Sequence, residues 1–276
     1  MNKKTIFFLL IFFTAGTTLF AQEFYSRNPN YVDTATVMIW ASPNFSVQLP
    51  FGKGYLASTF HFNYNIGLEF TMKAKSNWTF GAVFNYMFGS KIRKQVPEIL
   101  GDMAFLHRIN DKEEISVIYN YAGDNSMVLT HEGRYWYFGA TIGKIFPLNH
   151  WKNSGLWLNL SAGYFGHKIY FNDINQIFPQ IDQKTYRLGY DQHSSGIALN
   201  QFFGYLFLQK RRVLSFYAGI EVWEIFSKPD RGYIFVGEYA GYTDNLPRKF
   251  SGLVGVKIGW NLPFYEKKRV TTFYTY

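Results

Sequence analysis

The chain has 276 residues, no cysteine, a formal net charge of +9, and aromatic side chains at 21% of positions. The missing cysteine excludes a disulfide framework and a thiolate metal site, and the length suits one domain. A basic balance suits nucleic acid in a protein that stays inside the cell, but the first residues point elsewhere.

Lys3 and Lys4 precede an apolar run over residues 6–13, and the segment closes on Leu19-Phe20-Ala21 before Gln22. This pattern predicts an export signal over residues 1–21. The run is shorter than the ~20 residues a membrane helix needs, and no cysteine follows it to be acylated. Residues 22–276 are left as one domain, with a tail from about residue 264. An exported chain does not normally meet nucleic acid, so the expected partners of its positive charge are phospholipid and lipopolysaccharide.

The first predicted strand covers residues 34–49, with Val37, Ile39, Ala41, Phe45, Val47 and Leu49 on one face and Pro43 as a bend or bulge. The second covers residues 56–72. There Leu56, Phe60, Phe62, Tyr64, Ile66, Leu68, Phe70 and Met72 alternate with Thr59, His61, Asn63, Asn65, Gly67, Glu69 and Thr71. A period of two gives a strand with two unlike faces. Its length exceeds the ~5–6 residues of an ordinary soluble strand. Behind an export signal, such strands point to an outer-membrane β-barrel. Further alternating runs fall at residues 78–90, 134–146, 155–170, 213–226 and 249–262. A run at 197–208 is apolar on both faces, which leaves its register open. The fold class is therefore all-β: a transmembrane antiparallel barrel of eight strands with long, structured extracellular loops.

Connection lengths orient it. Residues 73–77, 147–154 and 209–212 make short links, whereas 91–133, 171–196 and 227–248 make long ones. Short turns belong to the periplasm and long loops to the outside. A strand over 34–49 must then run upward before the second strand runs down, joined to it by a short outer turn at 50–54. If that first strand is absent, the tail is the alternative last strand. Within the first long loop, residues 96–109 are expected to form a short helix carrying Ile99, Leu100, Met103 and Leu106. Residues 114–121 and 127–130 are expected to form a hairpin.

The predicted inward faces are small and polar, with sparse charges at Glu69, Glu221 and Lys257. Eight strands enclose a space that side chains just fill. Glu221 and Lys257 lie on adjacent strands and are expected to pair across the lumen, as a structural ion pair rather than a gate. Tyr55, Trp78, Trp136, Trp151, Trp223 and Trp260 sit near strand ends, where they suit interfacial girdles. A basic periplasmic rim is expected from Lys73, Lys75, Lys152, Lys210, Arg211 and Arg212. Lys267, Lys268 and Arg269 continue it past the last strand. All would face lipid headgroups.

Catalytic chemistry has little support. Asp191-Gln192-His193-Ser194-Ser195 gathers acid, imidazole and hydroxyls, but neighbours in a loop seldom align as nucleophile, base and orienting group. The six histidines show no i, i+4 pair and no HExxH. No calcium loop and no phosphate-binding glycine motif is present, so neither metal nor cofactor is expected.

Ser76-Asn77-Trp78, Gly143-Lys144-Ile145-Phe146-Pro147, Gly166-His167-Lys168-Ile169, Gln201-Phe202-Phe203-Gly204-Tyr205 and Gly259-Trp260-Asn261-Leu262-Pro263 form a pattern. It resembles small outer-membrane barrels of Bacteroidota over most of the exported chain. The resemblance carries no catalytic residues. It implies a non-enzymatic accessory or interaction subunit of a machine that assembles or secretes outer-membrane proteins, with protein partners in a larger membrane complex. The alternative is a stand-alone barrel that binds or passes a small ligand or lipid.

Overall fold

The computed structural model describes residues 35, 37–89, 92–94, 99, 104–110, 113–119, 125–126, 129–148, 151–173, 190–208, 215–230, 233–234, 241–242 and 246–264. The expected export signal, the tail with Lys267, Lys268 and Arg269, and the turn residues Lys210, Arg211 and Arg212 lie outside them.

Eight long strands close a ring. They are β1 (Met38–Gly52), β2 (Asn63–Lys73), β3 (Trp78–Gly89), β7 (Leu129–Leu148), β8 (Trp151–Asp173), β9 (Ser194–Phe207), β10 (Phe216–Pro229) and β13 (Lys249–Trp260). Each pairs antiparallel with the next, and β13 pairs back onto β1. The short β14 (Leu262–Phe264) continues β13 along the same partner. Ala41 opposite Leu262 and Asn44 opposite Gly259 share one register. The ladder is interrupted between them, beside Pro43, which has no N–H to give.

The burial pattern is inverted relative to a water-soluble protein. Ile66, Phe84, Phe138, Leu160, Ile197, Phe203, Ile220 and Val256 stand exposed on the outer wall. Ser42, Asn44, Asn65, Glu69, Asn85, Asn159, Asn200, Glu221 and Lys257 are buried inside. An apolar belt this continuous cannot face water, and closure leaves no strand edge unsatisfied in lipid. The protein is a transmembrane β-barrel of the outer membrane.

The expected strands all appear, with two corrections of extent: the first runs on to Gly52, through most of the outer turn expected over residues 50–54, and the second starts later. The second begins at Asn63, not Leu56. Residues Tyr55–Thr59 instead form a helical turn, α1, with Leu56, Ala57 and Thr59 buried. Gly52, at φ +98°, ends β1 in a conformation that favours glycine. A Cβ on Gly54 would run into the Phe250 carbonyl and the Ser251 hydroxyl, so only glycine lets the chain turn inward this closely. The both-faces-apolar run resolves as β9, with Ala198, Phe202 and Leu206 inward and Ile197, Leu199, Phe203 and Tyr205 outward.

The long outer loops carry small sheets. In the first, β4 (Ala104–Asn110) pairs with β5 (Glu113–Tyr119), which pairs with β6 (Asn125–Ser126). The helix expected over residues 96–109 is thus replaced from Ala104 onward by a strand. A β-hairpin of β11 (Tyr233–Ile234) and β12 (Gly241–Tyr242) stands in the last loop.

Candidate functional sites in the lumen and at the outer rim

Three layers of side chains fill the lumen. Nearest the short-turn end, Trp157, Phe202 and Tyr217 meet edge to face, with ring centroids 5.1–5.5 Å apart. Trp157 also donates its indole N–H to the Thr79 hydroxyl at 3.2 Å. Toward the outer mouth, Tyr137 packs on Trp223 at 4.8 Å, and Phe165, Tyr135, His167 and Phe60 extend the stack. Such geometry adds ~0.5–1.5 kcal/mol per aromatic pair beyond burial. Glycines make the room: a Cβ on Gly139 would meet the Tyr137 ring, one on Gly259 the Tyr217 ring, and one on Gly204 the Phe202 ring.

Between the aromatic layers lies a polar one. Lys257 Nζ stands 3.7 Å from Glu69 Oε2 and over the rings of Phe202 and Tyr217. Glu69 Oε1 accepts from Asn159 at 2.8 Å and from Thr71 at 3.4 Å. Glu221 accepts from Gln48 at 2.5 Å and from Asn200 at 3.4 Å. The expected Glu221–Lys257 pair is therefore replaced by Glu69–Lys257. The ladder supplies the reason. Glu221 pairs with Gly255, and Gly255 with Gln48. The glycine has no side chain to block the way, so Gln48 reaches Glu221 directly. Lys257 instead crosses the small lumenal side chains of β1 to reach β2.

Two further assignments change. Trp223, expected in a girdle, is fully buried in the lumen, whereas Trp78 and Trp136 are exposed on the outer wall. Lys73, expected on the periplasmic rim, points inward and donates to Asn153 Oδ1 at 2.9 Å. Lys75 and Lys152 are exposed at the short-turn end. The phase of each strand carried this information. Tyr135 and Tyr137 share the inward parity of β7, opposite to Trp136 and Phe138.

The mouth is covered from above by α1. Phe60 packs on Tyr135 at 4.9 Å and on His167 at 5.7 Å. Arg93 holds the turn in place, its guanidinium donating to the Ala57 carbonyl at 2.9 Å and its backbone N–H to the Thr59 carbonyl at 2.7 Å. Nearby, His193 Nδ1 lies 3.1 Å from Asp230 Oδ2. Neither serine of the 191–195 segment completes a catalytic set with it. Ser194 donates to the Gln192 carbonyl, and Ser195 Oγ accepts from the Tyr164 hydroxyl. No cluster of three metal-ligating residues occurs among the described residues.

On the outer wall, Arg134 of β7 and Lys168 of β8 are direct cross-strand partners just above an aromatic row of Tyr86 and Trp136. They line a cleft of about 570 Å³.

No family model and no curated protein sequence matches the chain. Solved structures of small outer-membrane barrels do resemble it. Ail, the attachment invasion locus protein of Yersinia pestis, is 10% identical, with 82% of this chain and 98% of that one covered at a TM-score of 0.38. Neisserial surface protein A is 9% identical, covering 81% and 96% at 0.37. OprG of Pseudomonas aeruginosa is 11% identical, covering 84% and 98% at 0.34. At these scores the likenesses carry no argument about function. The closed ladder and the apolar belt of this chain define its class.

Proposed function

We propose that the protein is a non-enzymatic interaction subunit that works through its outer face, as an accessory part of a machine assembling or secreting outer-membrane proteins. The observation that carries the first half is the filled lumen: two aromatic layers with a hydrogen-bonded charge layer between them. A barrel filled in this way is poorly suited to passing a ligand and well suited to holding loops rigidly above the membrane. The small sheets β4–β5–β6 and β11–β12 give those loops form. Ser194 and Ser195 bond to the Gln192 carbonyl and the Tyr164 hydroxyl and not to His193, which favours an interaction role over acyl transfer. The choice of an assembly or secretion machine rests on the resemblance to Bacteroidota barrels and on the export signal expected over residues 1–21.

The test is a mild-detergent pull-down from native membranes, with an affinity tag in the connection between Asp173 and Ser194. Stoichiometric protein partners that survive a salt wash are expected, and mass spectrometry would name the machine. A clean monomer from the same membranes would sink this reading.

A further inference from the structure

We infer that the outer wall between β7 and β8 binds the phosphate of an anionic glycolipid in the outer leaflet. Arg134 and Lys168 are in direct register on neighbouring strands, and both are directed away from the lumen, since their neighbours Tyr135 and His167 are buried inside. Two like charges placed directly opposite each other on a sheet repel. Lys168 makes no hydrogen bond or ion pair among the described residues. A shared anion relieves that repulsion and gives Lys168 a partner, and a phosphate oxygen is the acceptor that guanidinium and ammonium groups recognise.

Height selects the source of that anion. One rung toward the membrane centre, Tyr86, Trp136 and Gly166 form the next row across the wall. Trp136 packs at a tilt on Tyr164 of the following row, with ring centroids 5.4 Å apart. Aromatic side chains of this kind mark the membrane–water interface, so the basic row stands at the headgroup level. It lies at the long-loop end of the barrel, which faces outward. The Arg134 guanidinium rests 5.1 Å over the Tyr170 ring, a contact that holds the fork beside Lys168. The resulting cleft, whose lining includes Arg134 and Lys168, the outward Tyr86 and Trp136, and the lumen-facing Tyr135 and His167, is about 570 Å³, roomy enough for a phosphorylated sugar headgroup.

The experiment is native mass spectrometry of the full chain in detergent micelles, titrated with diphosphoryl lipid A. Wild type is expected to bind it at least ~10-fold more tightly than Arg134→Gln/Lys168→Gln, the loss of two charge-assisted contacts. Wild type is also expected to prefer it to dephosphorylated lipid A and to phosphatidylglycerol, with millimolar inorganic phosphate competing only weakly. The dephosphorylated lipid tests the wild-type chain alone, so the result stands even where the double variant folds poorly. Equal binding with and without the lipid phosphates overturns the proposal. So does binding by the folded double variant equal to that of wild type, or a stronger response to free phosphate or phosphatidylglycerol than to lipid A.

Discussion

The charge layer of the lumen is decided by individual side chains. Lys257 is 3% exposed and Glu69 is 1% exposed, so each depends on the other and on its hydrogen-bond partners for solvation. Removing one member of a buried pair strands the other, at about 3–5 kcal/mol. Lys257→Met is therefore expected to lower the urea midpoint of the barrel refolded in micelles, by an amount matching that loss. Glu69→Gln/Lys257→Met leaves no stranded charge and is expected to recover most of the stability. A double variant as unstable as the single would show that the pair itself, and not the orphaned carboxylate, sets the cost. Glycine packing is the second residue-scale determinant. Gly204 and Gly219 face each other in register, and a Cβ on Gly219 would meet the Phe203 carbonyl, the Gly204 Cα and the Phe202 ring. Gly219→Val is expected to cost about 1–3 kcal/mol by overpacking. Its signature in the same urea titration is a lowered midpoint at unchanged slope.

Among the elements, α1 shows where sequence periodicity stops being decisive. Leu56 and Phe60 are four apart, so they satisfy both a helical face and an even-numbered strand face. The alternation continuing through Phe62 to Met72 carries the strand reading back over them. What separates the two is a tertiary fact: the barrel mouth offers Tyr135 and His167 as a floor for Phe60, and Arg93 as a partner for the turn's carbonyls. The same limit applies to β4, where apolar residues at 99, 100, 103 and 106 read as helical while Ala104–Asn110 pairs with β5. Long ring strands were legible because lipid and lumen impose period two over ten residues or more. The lumenal partner of Lys257 was not, because it depends on how strands stagger around the ring. With two aromatic layers, removing α1 alone leaves the lumen filled. Phe60→Ala is expected to destabilise by about 3–5 kcal/mol yet give no conductance in planar bilayers. Combining it with Trp157→Ala and Phe202→Ala is expected to give measurable current. Channel activity in the single variant would show that α1 is the sole barrier and would weaken the case for a sealed scaffold.

For the molecule as a whole, orientation links the architecture to both proposals, because an interaction face and an outer-leaflet lipid site require the long loops to be outside. The asymmetry of the connections sets that orientation. Lys73 to Trp78 is closed by a tight turn in which Ala74 and Asn77 are hydrogen bonded and Asn77 takes φ 65°. At the opposite end, the chain spends residues 90–128 and 174–193 outside the ring strands. Outer-membrane barrels keep their short turns in the periplasm and their long loops outside. The chain contains no cysteine, so single thiols can be placed without background. Arg248→Cys lies on an exposed residue at the long-loop end, and Lys75→Cys on an exposed residue of the short turn. A membrane-impermeant maleimide is expected to label Arg248→Cys on intact cells and Lys75→Cys only after the outer membrane is permeabilised. The reverse pattern would place Arg134 and Lys168 in the inner leaflet, facing phospholipid, and the small loop sheets in the periplasm. The filled lumen would be untouched by that result, but the outward-facing interaction surface and the glycolipid site would both fall.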